Sequence, residues 1–264
     1  VVEEEFWDSI CRGIVEEIYW VGGEPLMYDI HWRAMHRLAD DDNLKHVHLR
    51  YNSNLSRVRY GKHYLYDWLP QAKDWTMCAS IDGTGPIGEF VRTGLNWEQW
   101  DRNFREGVEL PGGHDKMIMD LTITGPGMFD LKNFLDYALE LDVKIETKRM
   151  FAFHPDIVLS PMAWPRHILN EIVNDVLDYA RPLVTDKQQT LIRELEGMLT
   201  APTFQEQFPD TAQEQFFNGR AYQHIIHNIR KDGENGRLTL GDIYRQHPEL
   251  WMWFSRPDPK HNQR

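Results

Sequence analysis

The sequence predicts an α/β fold with a parallel sheet, followed by a helical C-terminal part. Over about the first 150 of its 264 residues, short apolar runs of strand-forming residues alternate with stretches of helical periodicity. After Pro155 the helical pattern continues and no strand pattern returns. The composition is 41% hydrophobic and 12% aromatic, which is enough to build a core for a chain of this length.

The elements of the first part are predicted from their hydrophobic periods. Helical spacing predicts helices at residues 3–15, 30–38, 64–69, 96–105 and 129–141. Apolar runs rich in β-formers predict strands at residues 17–21, 46–51, 75–81, 116–124 and 143–151. Asn96 is a suitable N-cap for the helix that it precedes. Because helices separate most of the strands, we expect βα units whose strands end at one edge of a parallel sheet.

The second part is predicted to be helical at residues 164–179, 187–199 and 211–230. This change of character predicts two domains, at residues 1–155 and 156–264. The last residues, 257–264, are polar and are expected to be loosely held.

The charge balance excludes some classes of partner. Twenty-nine basic and 41 acidic residues give a formal charge of −12, which argues against nucleic acid or an anionic membrane as the main partner. The chain has neither an apolar run of roughly eighteen residues nor a leader of the secretory type, so we expect a cytoplasmic protein. It begins abruptly at Val1, and we expect it to be a fragment of a longer gene product.

Cys11 and Cys78 are the only cysteines in the sequence. Two thiols are too few for a disulfide framework and too few to hold a zinc ion or an iron–sulfur cluster. We expect both to be buried, reduced thiols.

A Gly22-Gly23-Glu24-Pro25 segment ends the first predicted strand. Two glycines allow positive φ and a close approach of the backbone to a ligand, and Glu24 supplies a carboxylate. Pro25 fixes the exit of the turn. A plain turn would explain this segment equally well, because glycine pairs are common between strands and helices.

Polar side chains also follow the next two predicted strands. Ser53 and Asn54 end the second strand, and Ser80 and Asp82 end the third, with Arg92 downstream. Residues two apart on a strand point the same way, so Ser80 and Asp82 are expected to reach one ligand. A hydroxyl and a carboxylate suit ribose hydroxyls or an ammonium, and the planar guanidinium of Arg92 suits a carboxylate.

In this order and spacing, these segments resemble the radical S-adenosylmethionine superfamily. The similarity is closest to the subgroup with a twitch C-terminal extension, where an Asn-Ser-Asn-Leu segment like that at residues 52–55 occurs. It covers about residues 15–155. The resemblance implies a partial (β/α)6, TIM-like barrel, here lacking its first strand, with residues 156–264 as a helical, twitch-like extension.

The resemblance also implies how S-adenosylmethionine would bind. The implied cofactor-binding residues are Gly22, Gly23, Glu24, Pro25, Ser53, Asn54, Ser80, Asp82 and Arg92. The glycines and Glu24 would receive the amino group of the methionyl part. Ser80 and Asp82 would lie by the ribose and carboxylate, and Arg92 is a further candidate for the carboxylate.

In this superfamily a 4Fe–4S cluster, held by three cysteines, reductively cleaves S-adenosylmethionine to a 5′-deoxyadenosyl radical that attacks the substrate. An electron donor such as flavodoxin or ferredoxin is implied, and the substrate is unknown. The C-x3-C-x2-C cluster motif is absent from this sequence, because Cys11 falls on a predicted helix and Cys78 within a predicted strand. We therefore expect cluster ligands upstream of this chain and no reaction by the chain alone.

Two other functions stay open. One is a barrel without a cluster that acts as a ligand- or partner-binding module. The other is a metal-dependent lyase or hydrolase that uses Glu24 and Asp82.

Histidines supply only weak signals. The pairs His46/His48 and His224/His227 could each share a face, but neither has a third ligand at recognisable spacing, so no metal ligand is assigned. His154 is a speculative substrate contact, and a simple loop histidine before Pro155 is the favoured interpretation.

Overall fold

The computed structural model describes residues 2–152, 155–233 and 238–256 of the chain. His154 and the polar tail at residues 257–264 lie outside these described residues.

Seven strands form within the residues that the structure describes. They are β1 (Glu17–Trp20), β2 (His48–Ser53), β3 (Arg59–Tyr60), β4 (His63–Tyr64), β5 (Asp74–Ile81), β6 (Met117–Ile123) and β7 (Lys144–Arg149). All five predicted strands are present, each within a few residues of its predicted bounds. The two-residue strands β3 and β4 were not predicted, because they are too short to have a hydrophobic period.

Thirteen α-helices form within the described residues. Those up to β7 are α1 (Val2–Arg12), α2 (Asp29–Asp40), α3 (Leu65–Trp68), α4 (Gly85–Val91), α5 (Trp97–Val108), α6 (Gly113–Lys116) and α7 (Leu131–Glu140). The later ones are α8 (Arg166–Ala180), α9 (Gln189–Thr200), α10 (Phe204–Gln207), α11 (Ala212–Gly233), α12 (Leu240–Tyr244) and α13 (Pro248–Ser255). Seven short 3₁₀ segments accompany them, including Pro25–Met27 and Pro126–Asp130.

The five longer strands form one parallel sheet in the order β1-β2-β5-β6-β7, which confirms the predicted α/β fold. Ile18 of β1 is in register with Leu49 of β2, and Leu49 is in register with Trp75 of β5. All three side chains are buried, so one apolar row crosses these strands. β3 and β4 form a separate antiparallel hairpin.

The helices bury the faces that their spacing predicted. Asn96 caps α5 by accepting a hydrogen bond from the backbone N–H of Gln99, and Trp100 and Phe104 on this helix are fully buried. The helix predicted from Phe129 begins two residues later, because residues 126–130 form a 3₁₀ turn that starts at Pro126. The helices α4, α6, α10, α12 and α13 were not predicted.

The chain forms two compact units. The first comprises Val1–Ile81, Leu95–Asp120 and Glu140–Lys144, and its core includes Trp32, Trp75 and Trp100. The second comprises Asp82–Gly94, Leu121–Leu139 and Ile145–Arg264, and its core includes Trp164, Phe134 and Tyr244. Whether residues 1–155 and 156–264 fold as separate domains stays a prediction. Across the described part of the chain, every helix is too short or too polar to cross a lipid bilayer.

Candidate functional site

In the first unit, the Glu24 carboxylate joins the segments that follow β1 and β2. Its Oε1 atom accepts hydrogen bonds from the Ser53 hydroxyl at 2.7 Å and from the Leu26 backbone N–H at 3.1 Å. Its Oε2 atom accepts from the backbone N–H of Asn54 at 2.6 Å. Glu24 is also the N-cap of the 3₁₀ segment Pro25–Met27. The predicted residues 24, 25, 53 and 54 are thus brought together around one half-buried carboxylate.

The backbone requires the first of the two glycines before Glu24, and a neighbouring side chain limits the space at the second. Gly22 has φ +118°, a conformation that side chains of L-residues rarely adopt, and the space where its Cβ would stand is open. At Gly23 a Cβ would lie 2.7 Å from the Tyr28 hydroxyl oxygen, so a larger residue would collide with that ring. Both glycines are exposed, and their peptide groups are therefore accessible to a ligand at the carboxyl end of β1.

The segment after β2 is held by its own polar side chains. The Ser53 hydroxyl oxygen also accepts from the Leu55 backbone N–H at 2.9 Å, and Ser53 is 2% exposed. Leu55 has φ +53°, unusual for a residue with a branched side chain. The Asn54 side-chain oxygen accepts from the Ser56 backbone N–H at 2.9 Å. The loop is therefore held by its own hydrogen bonds, with Ser53 turned toward Glu24.

Ser80 lies near the end of β5, also in the first unit. Its hydroxyl donates a long hydrogen bond of 3.5 Å to the Asp120 carboxylate on β6. Ser80 is half-buried and keeps hydroxyl capacity for another partner.

In the second unit, the predicted ligand groups Asp82 and Arg92 bind each other. The Arg92 Nε atom donates to Asp82 Oδ2 at 2.7 Å, and the Thr122 backbone N–H donates to Asp82 Oδ1 at 3.2 Å. The Asp82 side chain is 11% exposed and that of Arg92 is 29% exposed. The roles of Asp82 and Arg92 toward the ribose and the carboxylate of a ligand stay predictions. A ligand at this position would have to share or replace the Asp82–Arg92 ion pair.

Asp130 is a buried acid that sequence reasoning missed. It is 3% exposed, and its carboxylate accepts from the backbone N–H of Thr84, from the Thr84 hydroxyl at 2.9 Å and from the Asn133 side chain at 3.0 Å. Burial raises the pKa of this carboxyl group, and the three donors act in the opposite direction. Asp130 thereby holds the turn that follows β5. No local signal marks it, because Thr84 lies 46 positions earlier in the chain.

His31 was also missed, although it lies against β1 and β2, the two strands that lead to Glu24 and Ser53. Its Nε2 atom is 3.0 Å from the Tyr51 hydroxyl, and its ring packs edge-on against Trp20 with centroids 4.8 Å apart. It is fully buried, and desolvation lowers its pKa from 6.5 to about 3. The neutral imidazole is therefore a packing residue under the ends of β1 and β2.

The prediction that both cysteines are buried is wrong for Cys11. The buried face of α1 is occupied by Ile10, and Cys11, one position further round the helix, is exposed. Cys78 is half-buried in β5, as its place within a strand implied.

Among the residues that the structure describes, no group of three or more His, Cys, Asp or Glu side chains is arranged so that it could hold a metal ion. His46 is exposed, and His48 faces the carboxylates of Glu17 and Asp74 at 3.8 and 3.9 Å. The ring of His224 packs against Phe254 with centroids 5.0 Å apart. The side chain of His227 lies outside the described part.

Comparison with known proteins supplies no family: no protein-family model matches the chain, and no curated protein matches it significantly.

Proposed function

We propose that this chain is the S-adenosylmethionine-binding part of a radical S-adenosylmethionine enzyme. The single observation that carries the proposal is the Glu24 cluster, defined here as Glu24 with Gly22, Gly23, Ser53 and Asn54. Open sheets of parallel strands bind ligands at the carboxyl ends of their strands, and this cluster joins two such ends.

The chemistry of the cluster suits the methionyl ammonium of S-adenosylmethionine. The carboxylate of Glu24 is anionic when ionised, and its Oε2 atom, which accepts a single hydrogen bond, can accept another, whereas Oε1 already accepts two. The exposed carbonyls at Gly22 and Gly23 add uncharged acceptors on an open side of the turn. Ser53 and the Asn54 backbone hold the carboxylate in place before any ligand arrives, which lowers the entropy cost of binding.

The 4Fe–4S cluster of such enzymes does not fit the residues of this chain. Three cysteines are needed, whereas Cys11 lies exposed on α1 and Cys78 lies half-buried in β5. We therefore derive no radical step from this sequence, and we propose that the cluster ligands and the electron donor lie outside it. We also propose that the five parallel strands belong to a partial (β/α)6 barrel, which their consecutive order in the sheet supports.

The proposal is tested by titrating S-adenosylmethionine into the full chain by calorimetry. We expect binding that Glu24→Gln weakens by about tenfold, because removal of the charge abolishes a charge-assisted hydrogen bond to the ammonium. Glu98→Gln removes an equal charge from an exposed position on α5 and should leave affinity unchanged. Circular dichroism establishes that both variants remain folded.

Two results would overturn the proposal: no measurable binding by the wild-type chain, or equal affinity in Glu24→Gln and wild type. A separate arm concerns the cluster. After anaerobic reconstitution with iron and sulfide, the chain alone should retain no four-iron cluster and form no 5′-deoxyadenosine. Four irons per chain would contradict the placement of the cluster ligands outside this sequence.

A second candidate function, a binding module without catalysis, is favoured by the same lack of cysteine ligands. It differs in specificity from the first. A general nucleoside binder would bind adenosine as tightly as S-adenosylmethionine, whereas a site built around Glu24 requires the ammonium group that adenosine lacks.

A further inference from the structure

The first unit contains a cavity whose charge is opposite to that of the whole chain. Its volume is about 620 Å³, within the range of small-molecule sites. Three arginines contribute to its wall: Arg57 and Arg59 from the segment that runs from β2 into β3, and Arg102 from α5. We name this cavity the arginine pocket. A local concentration of guanidinium groups is unexpected in a chain with a net charge of −12.

These three guanidinium groups make no ion pair with any carboxylate in the described part of the chain. Arg59 lies over the Tyr64 ring at 3.5 Å and Arg57 lies near the Tyr60 ring at 5.9 Å. Arg105, one turn along α5 from Arg102, is by contrast paired with both Asp101 and Glu140. Three guanidinium groups against the one carboxylate of Glu106 leave the arginine pocket with a net positive charge.

The one carboxylate among the described residues of the wall is already engaged. Glu106 accepts a hydrogen bond from the Tyr64 hydroxyl at 2.7 Å. This bond and desolvation both raise the pKa of Tyr64, so the phenol stays a donor to Glu106 at neutral pH.

The loop that carries Arg57 and Arg59 is fastened to α5 by two amides. The Gln99 side chain donates to the Ser56 carbonyl at 2.8 Å, and the Asn103 side chain donates to the Leu55 carbonyl at 2.8 Å. Positions 99, 102, 103 and 106 share one face of a helix. The same face of α5 thus fixes the loop and presents Arg102, which preorganises the three cations around one space.

We propose that the arginine pocket binds a small organic phosphate monoester. The planar fork of a guanidinium matches a phosphoryl group through two hydrogen bonds, and a dianion balances several cations better than a single carboxylate. Met27, which is 50% exposed, and the side chain of Val58 add an apolar wall for the organic part of the ligand. This inference is independent of S-adenosylmethionine binding, which it does not require.

The test is calorimetry on the full chain in a low-salt, phosphate-free buffer, without S-adenosylmethionine. Phenyl phosphate, inorganic phosphate and benzoate serve as the three probes. We expect phenyl phosphate to bind more tightly than inorganic phosphate, because only the ester contacts Met27 and Val58, and benzoate to bind most weakly. Tighter binding of inorganic phosphate than of phenyl phosphate would identify a site for the free anion and overturn the proposal that the ligand is an organic ester.

The matched variants are Arg102→Gln and Arg12→Gln, each of which removes one positive charge from an exposed helix position. Arg102→Gln should weaken phenyl phosphate binding by about tenfold, the loss of one charge-assisted contact. Arg12→Gln, which removes a charge from α1, should leave the affinity for phenyl phosphate unchanged. Equal affinities in the two variants, or no binding of phenyl phosphate at millimolar concentration, would overturn the proposal whatever the result with S-adenosylmethionine.

Discussion

The Nε atom of Arg92 lies 2.7 Å from Oδ2 of Asp82, so two side chains that the sequence predicts to hold a ligand hold each other. The pair is largely buried on the Asp82 side, where only 11% of the side chain is exposed. The remaining partner of that carboxylate is the backbone N–H of Thr122. This ion pair therefore has a structural role in the second unit whether or not a ligand binds there.

We predict that Arg92→Ala lowers the free energy of unfolding by about 1–3 kcal/mol, because it leaves a mostly buried carboxylate with a single donor. In a double-mutant cycle with Asp82→Asn, the double variant should lose less free energy of unfolding than the sum of the losses in the two single variants. Urea denaturation measures both. Arg12→Ala, which breaks an exposed pair with Asp8, should change stability by less than about 1 kcal/mol. Additive losses at Asp82 and Arg92 would contradict this coupling.

We predict that Glu24→Ala destabilises the protein by about 1–3 kcal/mol, since it leaves the donors of Ser53, Leu26 and Asn54 without their acceptor. Glu24→Gln should cost less, because its amide oxygen can still accept from Ser53 and Leu26. Thermal and urea unfolding measure the order of stability of wild type, Glu24→Gln and Glu24→Ala. Glu98→Gln is the exposed control, and a Glu24→Ala protein as stable as that control would show that the cluster contributes nothing to the fold.

The burial of His31 should make the free energy of unfolding depend on pH. Its pKa is about 3 when folded and 6.5 when exposed, so below pH 6.5 the unfolded chain binds a proton that the folded chain does not. The free energy of unfolding should therefore fall as pH is lowered from about 6.5 toward 3, by up to about 1.4 kcal/mol per pH unit.

His31→Phe should remove this contribution, although its stability at pH 7 should be lower because the Tyr51 hydroxyl then keeps only the weak acceptor Met35 Sδ, 3.5 Å away. Urea denaturation at a series of pH values compares the slopes. His46→Gln, at an exposed position, should retain the wild-type slope. If the free energy of unfolding depends on pH with the same slope in His31→Phe and in wild type, the pKa of His31 is not lowered in the folded chain.

The space for a side chain at position 127 is limited by the neighbouring Asp82 backbone. A Cβ at this position would lie 2.8 Å from the Asp82 carbonyl oxygen and 2.9 Å from the Thr124 hydroxyl oxygen. Gly127→Ala should therefore destabilise the protein by about 1–3 kcal/mol, as overpacking does in other cores. The control is Gly61→Asn, with φ +57° and open space, which asparagine tolerates. Comparable melting temperatures in the two variants would contradict the close approach.

Sequence patterns alone were enough to predict the five parallel strands, most of the longer helices and the cap at Asn96. These features are local, because the period of apolar residues reports which face of an element is buried. The grouping of Glu24 with Ser53 and Asn54 also followed, since consecutive parallel strands end at one edge of a sheet.

Which side chains contact one another could be read only from the folded chain. The Asp82–Arg92 pair, the burial of His31 against Tyr51 and the support of Thr84 by Asp130 depend on how distant segments pack. The arginine pocket likewise requires a loop after β2 to lie along one face of α5, more than 40 residues later in the chain. No hydrophobic period encodes such contacts, because charged and polar partners are selected by distance and desolvation in the folded chain rather than by spacing along it.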